Sequence, residues 1–458
     1  MKARNILIFI WGALLAPIYL TSCGEDRWAA YADQTQTDRW IDDTMRVWYY
    51  WNQDIPNTQK LNYFKEPFTF YASLLSPNDG NGRFHYSTID SLVSTTRSIP
   101  YTDYSYGFQF TTNRVENNDT ALYAHVLYVA PESPASAIQL ERGDWIMKMN
   151  GEPITSKNYT KLYGDNAMEL TVGFYDVSKD TIIAYKESKN IASARTINDN
   201  PVHYKNVYAR GNKRIGYLVY NHFSSGATHS SNEYNNDLRN ASQYFAGQQV
   251  NELILDLRYN NGGLLSSAEL LCALLAPAHQ LGQELGFLEF NRRFTPRQVP
   301  FTLDANLIQS GVNLNLSTLY VLTSSQTASA SEMLINCLKP LMEKVVVLGT
   351  TTEGKNVGSR TFVNQELMIA MSPIVCKIYN SKGESNYEKG LIPDLAVNEN
   401  SNLPRFLPFG DPNELMLYTA LGVIDGSIVI PEKKPSTLQT SVITHSIERR
   451  GSQSVKID

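Results

Sequence analysis

The run Thr327-Ala328-Ser329-Ala330-Ser331-Glu332 precedes an apolar helical pattern, and Lys355 follows Gly354, 26 residues after Ser329. A serine at the mouth of a helix presents its hydroxyl beside the positive end of the helix dipole. A lysine serves as its general base when burial strips the ammonium of water and brings its pKa towards neutrality. The chemistry open to this pair is nucleophilic attack on a carbonyl. No rival hydrolase signature occurs in the sequence, which has no Gly-x-Ser-x-Gly elbow and no His-Glu-x-x-His zinc helix.

A second feature fits the same chemistry. Asn260-Asn261-Gly262-Gly263 follows the apolar strand pattern 253–258. Glycines there let backbone amides turn towards one point. With the Ala330 amide at the start of the next helix, the Gly263 amide forms a candidate oxyanion hole. Structural readings stand beside these. Ser329 with Glu332 three residues on is also a capping box, which needs no catalysis. A lysine in a glycine-rich loop is ordinarily a solvated charge.

The elements that must position these residues are legible from periodicity. Strand patterns at 214–220, 253–258, 319–323 and 345–349 alternate with helical patterns after Gly263 and after Ser329. Such alternation predicts an α/β layered core with both sheet faces covered, over 205–426. Residues 23–100 predict a helical segment, with apolar residues at three- and four-residue steps between Trp40 and Tyr50. The turn 77–82 resembles a calcium loop but lacks the acidic set, and reads as a plain turn. Residues 101–185 change to short strands. Residues 427–458 are polar, hold Pro431 and Pro435, and predict a loosely held tail.

Composition bounds the function. The chain has 458 residues, is 42% hydrophobic and 19% charged, and carries a net charge of −5. That is an ordinary globular balance, long enough for about three domains at roughly 150 residues each. With no basic stripe, no nucleic-acid partner is expected. At the amino terminus, Lys2 and Arg4 precede an apolar stretch from Ile6 to Leu20, and Leu20-Thr21-Ser22-Cys23 resembles a bacterial lipobox. The expectation is a signal peptide over 1–22 and lipid modification of Cys23. Gly24-Glu25-Asp26 resembles an acidic surface-export tag. The protein is thus expected in the cell envelope, on the outer membrane, facing the periplasm or the surface. Cys272, Cys337 and Cys376 lie in apolar runs without Cys-x-x-Cys spacing, so buried free thiols are expected and no metal site.

The order of motifs carries a family resemblance. Gly216-Tyr217, Asp256 to Gly263, Thr327 to Glu332, Gly354-Lys355 and Gly390-Leu391-Ile392-Pro393-Asp394 together resemble the C-terminal processing, or tail-specific, serine peptidases. Ahead of them, Gly107-Phe108, Ser133-Pro134-Ala135 and the Gly143-Asp144 to Asn150-Gly151 hairpin resemble a PDZ domain, as in that family. The resemblance spans about 101–400. It implies a ClpP/crotonase-like α/β core, a PDZ-like β-rich domain that takes a peptide end at Gly107 and Phe108, and a Ser-Lys dyad. Ser329 is then the nucleophile and Lys355 the base, with Gly263 and Ala330 as oxyanion donors and polypeptides as substrates. It implies no cofactor. The family usually has glutamine four residues after the lysine; Ser359 stands there instead, and the serine-to-lysine interval is about one residue longer than is common.

Three rival readings differ in chemistry. Gly349 to Asn356 nearly completes a phosphate-binding loop, but Asn356 replaces its Ser/Thr and a strand pattern follows where a helix is needed. A catalytically inactive PDZ-type peptide-binding lipoprotein would keep the fold without turnover. His222, just after the Gly216 strand, is the histidine that sequence proximity would nominate as an alternative base.

Overall fold

The computed structural model describes residues 31–92, 102–115, 118–228, 231–430, 442–450 and 455–457. The expected signal peptide, the Cys23 lipid site and the acidic run after it lie outside the described residues.

The described part of the amino-terminal unit holds two α-helices and a short strand, Thr88–Ser91, paired with Ile369–Ser372. Helix α1 (Ala32–Trp48) turns Ile41 and Met45 inward, and α2 (Pro67–Ala72) starts with a proline at its first turn and the Glu66 carboxylate accepting from Thr69 N–H. Together with Tyr49, Phe70 and Tyr71 they pack on Met371 and Ile374. Each such side chain, fully buried, contributes about 1.5–3 kcal/mol from removal of apolar surface from water. The 77–82 turn is a plain turn in use: Asp79 accepts from the N–H groups of Tyr86 and Ser87 and from Tyr49 Oη.

The β-rich unit contains β1 (Phe108–Val115), β2 (Asn118–Val129), the short helix α3 (Pro134–Ala137), β3 (Trp145–Met149), β4 (Glu152–Thr155), β5 (Met168–Asp176) and β6 (Thr181–Ala184). It runs past the expected boundary at 185, since Lys189–Ile191 pairs with β5 and Arg195–Asn198 pairs with Thr102–Ser105.

The third unit holds β7 (Val202–Arg210), β8 (Lys213–Tyr220), α4 (Glu233–Gly247), β9 (Glu252–Asp256), α5 (Leu265–Leu275), β10 (Glu284–Phe290), β11 (Gln298–Thr302), β12 (Thr318–Thr323), α6 (Ala330–Leu338), β13 (Lys344–Gly349), β14 (Val357–Ser359), β15 (Ile374–Asn380), β16 (Leu395–Ala396) and α7 (Leu415–Asp425). The main sheet runs β7-β8-β9-β12-β13-β16, parallel from β8 onward. Leu253, Leu255, Leu319 and Val321 face α5 and α6, while Ile254, Tyr320, Leu322, Val346 and Leu348 face α7. Both faces are covered, which is why these strands read as near-continuous apolar runs. A second sheet, β11-β10-β15-β14, packs on the first through the same core.

The carboxyl-terminal segment differs from expectation. Within the described residues it is ordered: β17 (Val442–His445) joins the β-rich sheet beside β1, and β18 (Val455–Lys456) joins the second sheet beside β14. Polarity without a period predicted a loose tail, because edge strands of two to four residues leave no periodic signal.

Candidate active site

The Ser329 turn is held by the glycine-rich turn opposite it. Thr327 Oγ1 donates to the Leu257 carbonyl at 2.8 Å, Ala328 N–H to the Asn260 carbonyl at 3.1 Å, and Ser331 Oγ to the same carbonyl at 3.0 Å. These bonds hold Ser329 at φ 61°, ψ −113°. A non-glycine residue there costs of order 1–3 kcal/mol and persists only when its surroundings over-determine it. The Ser329 hydroxyl is buried and has no hydrogen-bond partner among the described residues. The capping reading is therefore half right. Glu332 accepts from Ser329 N–H at 2.9 Å, but the serine lacks the extended backbone of an N-cap, and its Oγ faces the Glu332 N–H without a hydrogen bond to it.

Glu332 does more than cap, and the sequence reading missed it. The same oxygen that takes the Ser329 N–H takes the Lys355 N–H at 2.8 Å, and the other takes Gly354 N–H at 2.7 Å and the Thr352 hydroxyl. One buried carboxylate thus clamps the serine turn and the lysine loop together. Burial pushes its carboxyl up to about 7, opposed by the four donors. Gly354 allows the close approach at φ +100°, where a Cβ would lie 2.5 Å from the Glu388 carbonyl oxygen.

Lys355 is fully buried. Burial holds its ammonium down to about 7, against the attraction of Asp79, Glu353 and Glu332. Its Nζ lies 4.6 Å from the centroid of the Tyr86 ring. Tyr86 and Asp79 come from the amino-terminal unit, so the dry environment of the lysine is assembled across units. Only the tertiary structure brings them here, since they lie over 260 positions upstream of Lys355.

The predicted oxyanion residues occupy the two facing turns. Gly263 sits at φ +139°, and a Cβ there would lie 1.9 Å from the Phe223 carbonyl oxygen. Hydrogen bonds in this turn use the N–H of Gly262, to Asn260 Oδ1 at 2.9 Å, and of Leu264, to the Phe223 carbonyl at 2.8 Å. Ala330 is the first residue of α6, where an N–H has no intrahelical acceptor.

Ser359 is buried in β14, and its carbonyl accepts from Ile457 N–H at 3.1 Å. At the Gly107–Phe108 loop, Gly107 N–H donates to Ser105 Oγ at 3.0 Å, Phe108 is core, and the edge of β1 carries β17. His222 is occupied elsewhere, with Nε2 on the Asp199 carbonyl at 2.8 Å and Nδ1 on Ser224 Oγ. The near phosphate loop has its Gly354 and Lys355 amides spent on Glu332 and is followed by β14, a strand. Cys272, Cys337 and Cys376 are buried and free.

A buried charge network lies behind the glycine turn. Arg258 reaches Asp256 at 2.6 Å, Glu414 at 2.8 Å and Glu399 at 2.9 Å, and Arg142 of the β-rich unit reaches Glu399 at 3.0 Å. Tyr259 Oη donates to Glu399 at 2.8 Å and accepts from Arg142 at 2.7 Å. The two guanidiniums hold the Glu399 carboxyl down to about 2 despite its burial. No spacing in the sequence joins Arg142 to Glu399 and Glu414.

Comparison with known proteins identifies the family. The model of Peptidase family S41 matches residues 214–397, and that of the Peptidase S41 N-terminal domain matches residues 36–106. A crystal structure from Bacteroides fragilis assigned to the S41 proteases is 40% identical, with TM-score 0.77, covering 85% of this chain and 98% of that one. The chain belongs to peptidase family S41. The S41 matches span Ser329, Lys355, Gly263 and Ala330 in the core, and Asp79 and Tyr86 in the amino-terminal unit. A carboxyl-terminal-processing protease from Synechocystis is 26% identical over 229 residues, covering 50% of this chain and 48% of the relative. A probable CtpA-like serine protease from Staphylococcus aureus is 24% identical over 271 residues, covering 58% of this chain and 48% of the relative. The chain matches about half the length of these curated relatives.

Proposed function

We propose that this S41 chain is a serine endopeptidase that cuts unstructured or C-terminal polypeptide segments through an acyl-enzyme. One observation carries the reading: a fully buried lysine held near neutrality is clamped by Glu332 to the turn that bears an uncommitted serine hydroxyl. In this mechanism Lys355 Nζ takes the Ser329 Oγ proton as Oγ attacks the scissile carbonyl carbon. The N–H groups of Gly263 and Ala330 stabilise the oxyanion. The ammonium then protonates the departing amine. The neutral lysine next takes a proton from water, whose oxygen attacks the acyl carbon, and the proton returns to Ser329 as the acid product leaves. Neither metal nor cofactor enters these steps. A serine at 359 reaches less far than glutamine would, and Glu332, through the Lys355 backbone N–H, together with the Tyr86 ring adds to the positioning of the lysine.

The finer features belong to the same proposal. The β-rich unit is a PDZ-like domain that gathers peptide ends, the core is of the ClpP/crotonase-like kind, and Cys23 carries a lipid that anchors the protein in the cell envelope. Supporting the C-terminal substrate class is the name of the Synechocystis relative, a carboxyl-terminal-processing protease. The test is a fluorophosphonate probe together with hydrolysis of an unfolded protein such as casein. Wild type should be labelled and active, and Ser329→Ala neither. Absence of labelling and of hydrolysis in wild type would favour the inactive peptide binder.

A further inference from the structure

The carboxyl-terminal segment touches both places where a peptide strand would be received. At the first, β17 lies antiparallel on the free edge of β1, with Thr444 opposite Thr112 and His445 opposite Thr111. Their hydroxyls meet at 2.6 Å between Thr112 and Thr444. Ser446 continues the contact, accepting from Phe110 N–H at 2.7 Å and donating to Gln109 Oε1 at 2.7 Å. Ile447 is then fully buried with Leu127, Tyr128, Tyr259 and Phe406, beside the glycine turn of the active site.

At the second, residues 455–457 fill the gap between the strand that follows Lys355 and the turn that carries Gly263. Val455 pairs with Gly358 and Lys456 with Ser359, in parallel. On the other side Lys456 bridges Leu264, and its N–H donates to the Gly263 carbonyl at 3.0 Å. Ile457 N–H donates to the Ser359 carbonyl at 3.1 Å. Val455 is completely buried, within the main core cluster. An extended backbone bonded on both sides, with a side chain sunk into the core, is how a strand-adding peptide is held.

We propose that this segment is a built-in occupant of the substrate path: it lies where an extended polypeptide substrate lies, gripped at the β1 edge and again between β14 and Gly263, and must leave before substrate enters. The substrate class that follows is an unstructured chain that lies parallel to β14 and places an apolar side chain in the Val455 site. The reading rests on the serine-peptidase assignment for its consequence, but the competition itself is a matter of binding. A tethered segment competes at an effective concentration of about 1 mM, so a peptide that binds the empty groove at about 10 μM would bind the occupied one roughly 100-fold more weakly.

The experiment uses the full chain in a Ser329→Ala background, so that binding is read without turnover. Lys456→Pro together with Ile457→Pro removes both tail N–H donors and leaves Ile447 in place. A fluorescein-labelled peptide with the sequence of residues 442–458 is titrated by anisotropy, and melting curves report the fold. The doubly substituted chain should bind the peptide at least tenfold more tightly than its parent, and a chain ending at residue 441 should do so by more. Equal affinity in a folded double variant, or no binding to any form, overturns the proposal. With Ser329 restored, hydrolysis absent from every form while binding still changes would sink the peptidase reading and leave this one standing.

Discussion

Lys355→Met separates the function of the buried lysine from its effect on stability. The folded-state pKa, about 7, lies below the usual 10.5, so folding disfavours the protonated amine. Below pH 7 both states hold the proton and the folded chain bears the whole penalty, about 5 kcal/mol for 3.5 pH units. Between pH 7 and 10.5 the unfolded chain binds more protons than the folded one, so stability rises with pH and the penalty disappears above 10.5. Methionine fills nearly the same volume without the charge. The variant should therefore melt above wild type at pH 7, by the equivalent of about 2–5 kcal/mol, with the gap closing towards pH 10.5. It should be inactive on casein throughout. Thermal melts of both proteins at pH 7 and pH 10, with hydrolysis measured at pH 8, test this. A variant less stable than wild type at pH 7 by the same margin as at pH 10, or one that still cleaves, refutes a dry and strained lysine base.

Further outcomes follow from the same geometry. The kcat/KM of wild type should rise with pH through about 7 as Lys355 loses its proton, while His222→Ala leaves that limb unmoved; a profile flat from pH 5 to 9 would contradict a lysine base. Gly263→Ala forces a Cβ against the Phe223 carbonyl and shifts the turn, so kcat should fall by about 10²–10³ as one oxyanion donor is misplaced; an unchanged kcat would remove Gly263 from the site. Arg142→Met leaves Glu399 and Glu414 short of a partner and should cost about 3–5 kcal/mol, seen as earlier unfolding and faster proteolytic cutting between the β-rich unit and the core. Melting and nicking identical to wild type would show that Arg142 does not join the units.

Much of the candidate active site is local in the chain, and to that extent its sequence determined it. Ser329 with Glu332, the Gly262-Gly263 turn and Gly354 before Lys355 are short runs whose backbone demands can be read residue by residue: a positive φ, a helix start, a close approach. The alternation of apolar strands with helices likewise determined the covered parallel sheet, because burial on both faces removes polar positions from a strand. Tertiary structure alone decided what surrounds these runs. The role of Glu332 changed from cap to clamp because Lys355 returned to the same oxygen, and Tyr86 roofs the lysine because the amino-terminal unit packs over β14 and β15. The joining of Arg142 to Glu399, and the seating of residues 455–457 beside Gly263, depend on edges and buried charges that meet only in the folded chain. Periodicity reports what a residue does for its own element; it carries no record of the distant partner that sets a lysine's water, a carboxylate's charge or the occupant of an open strand edge.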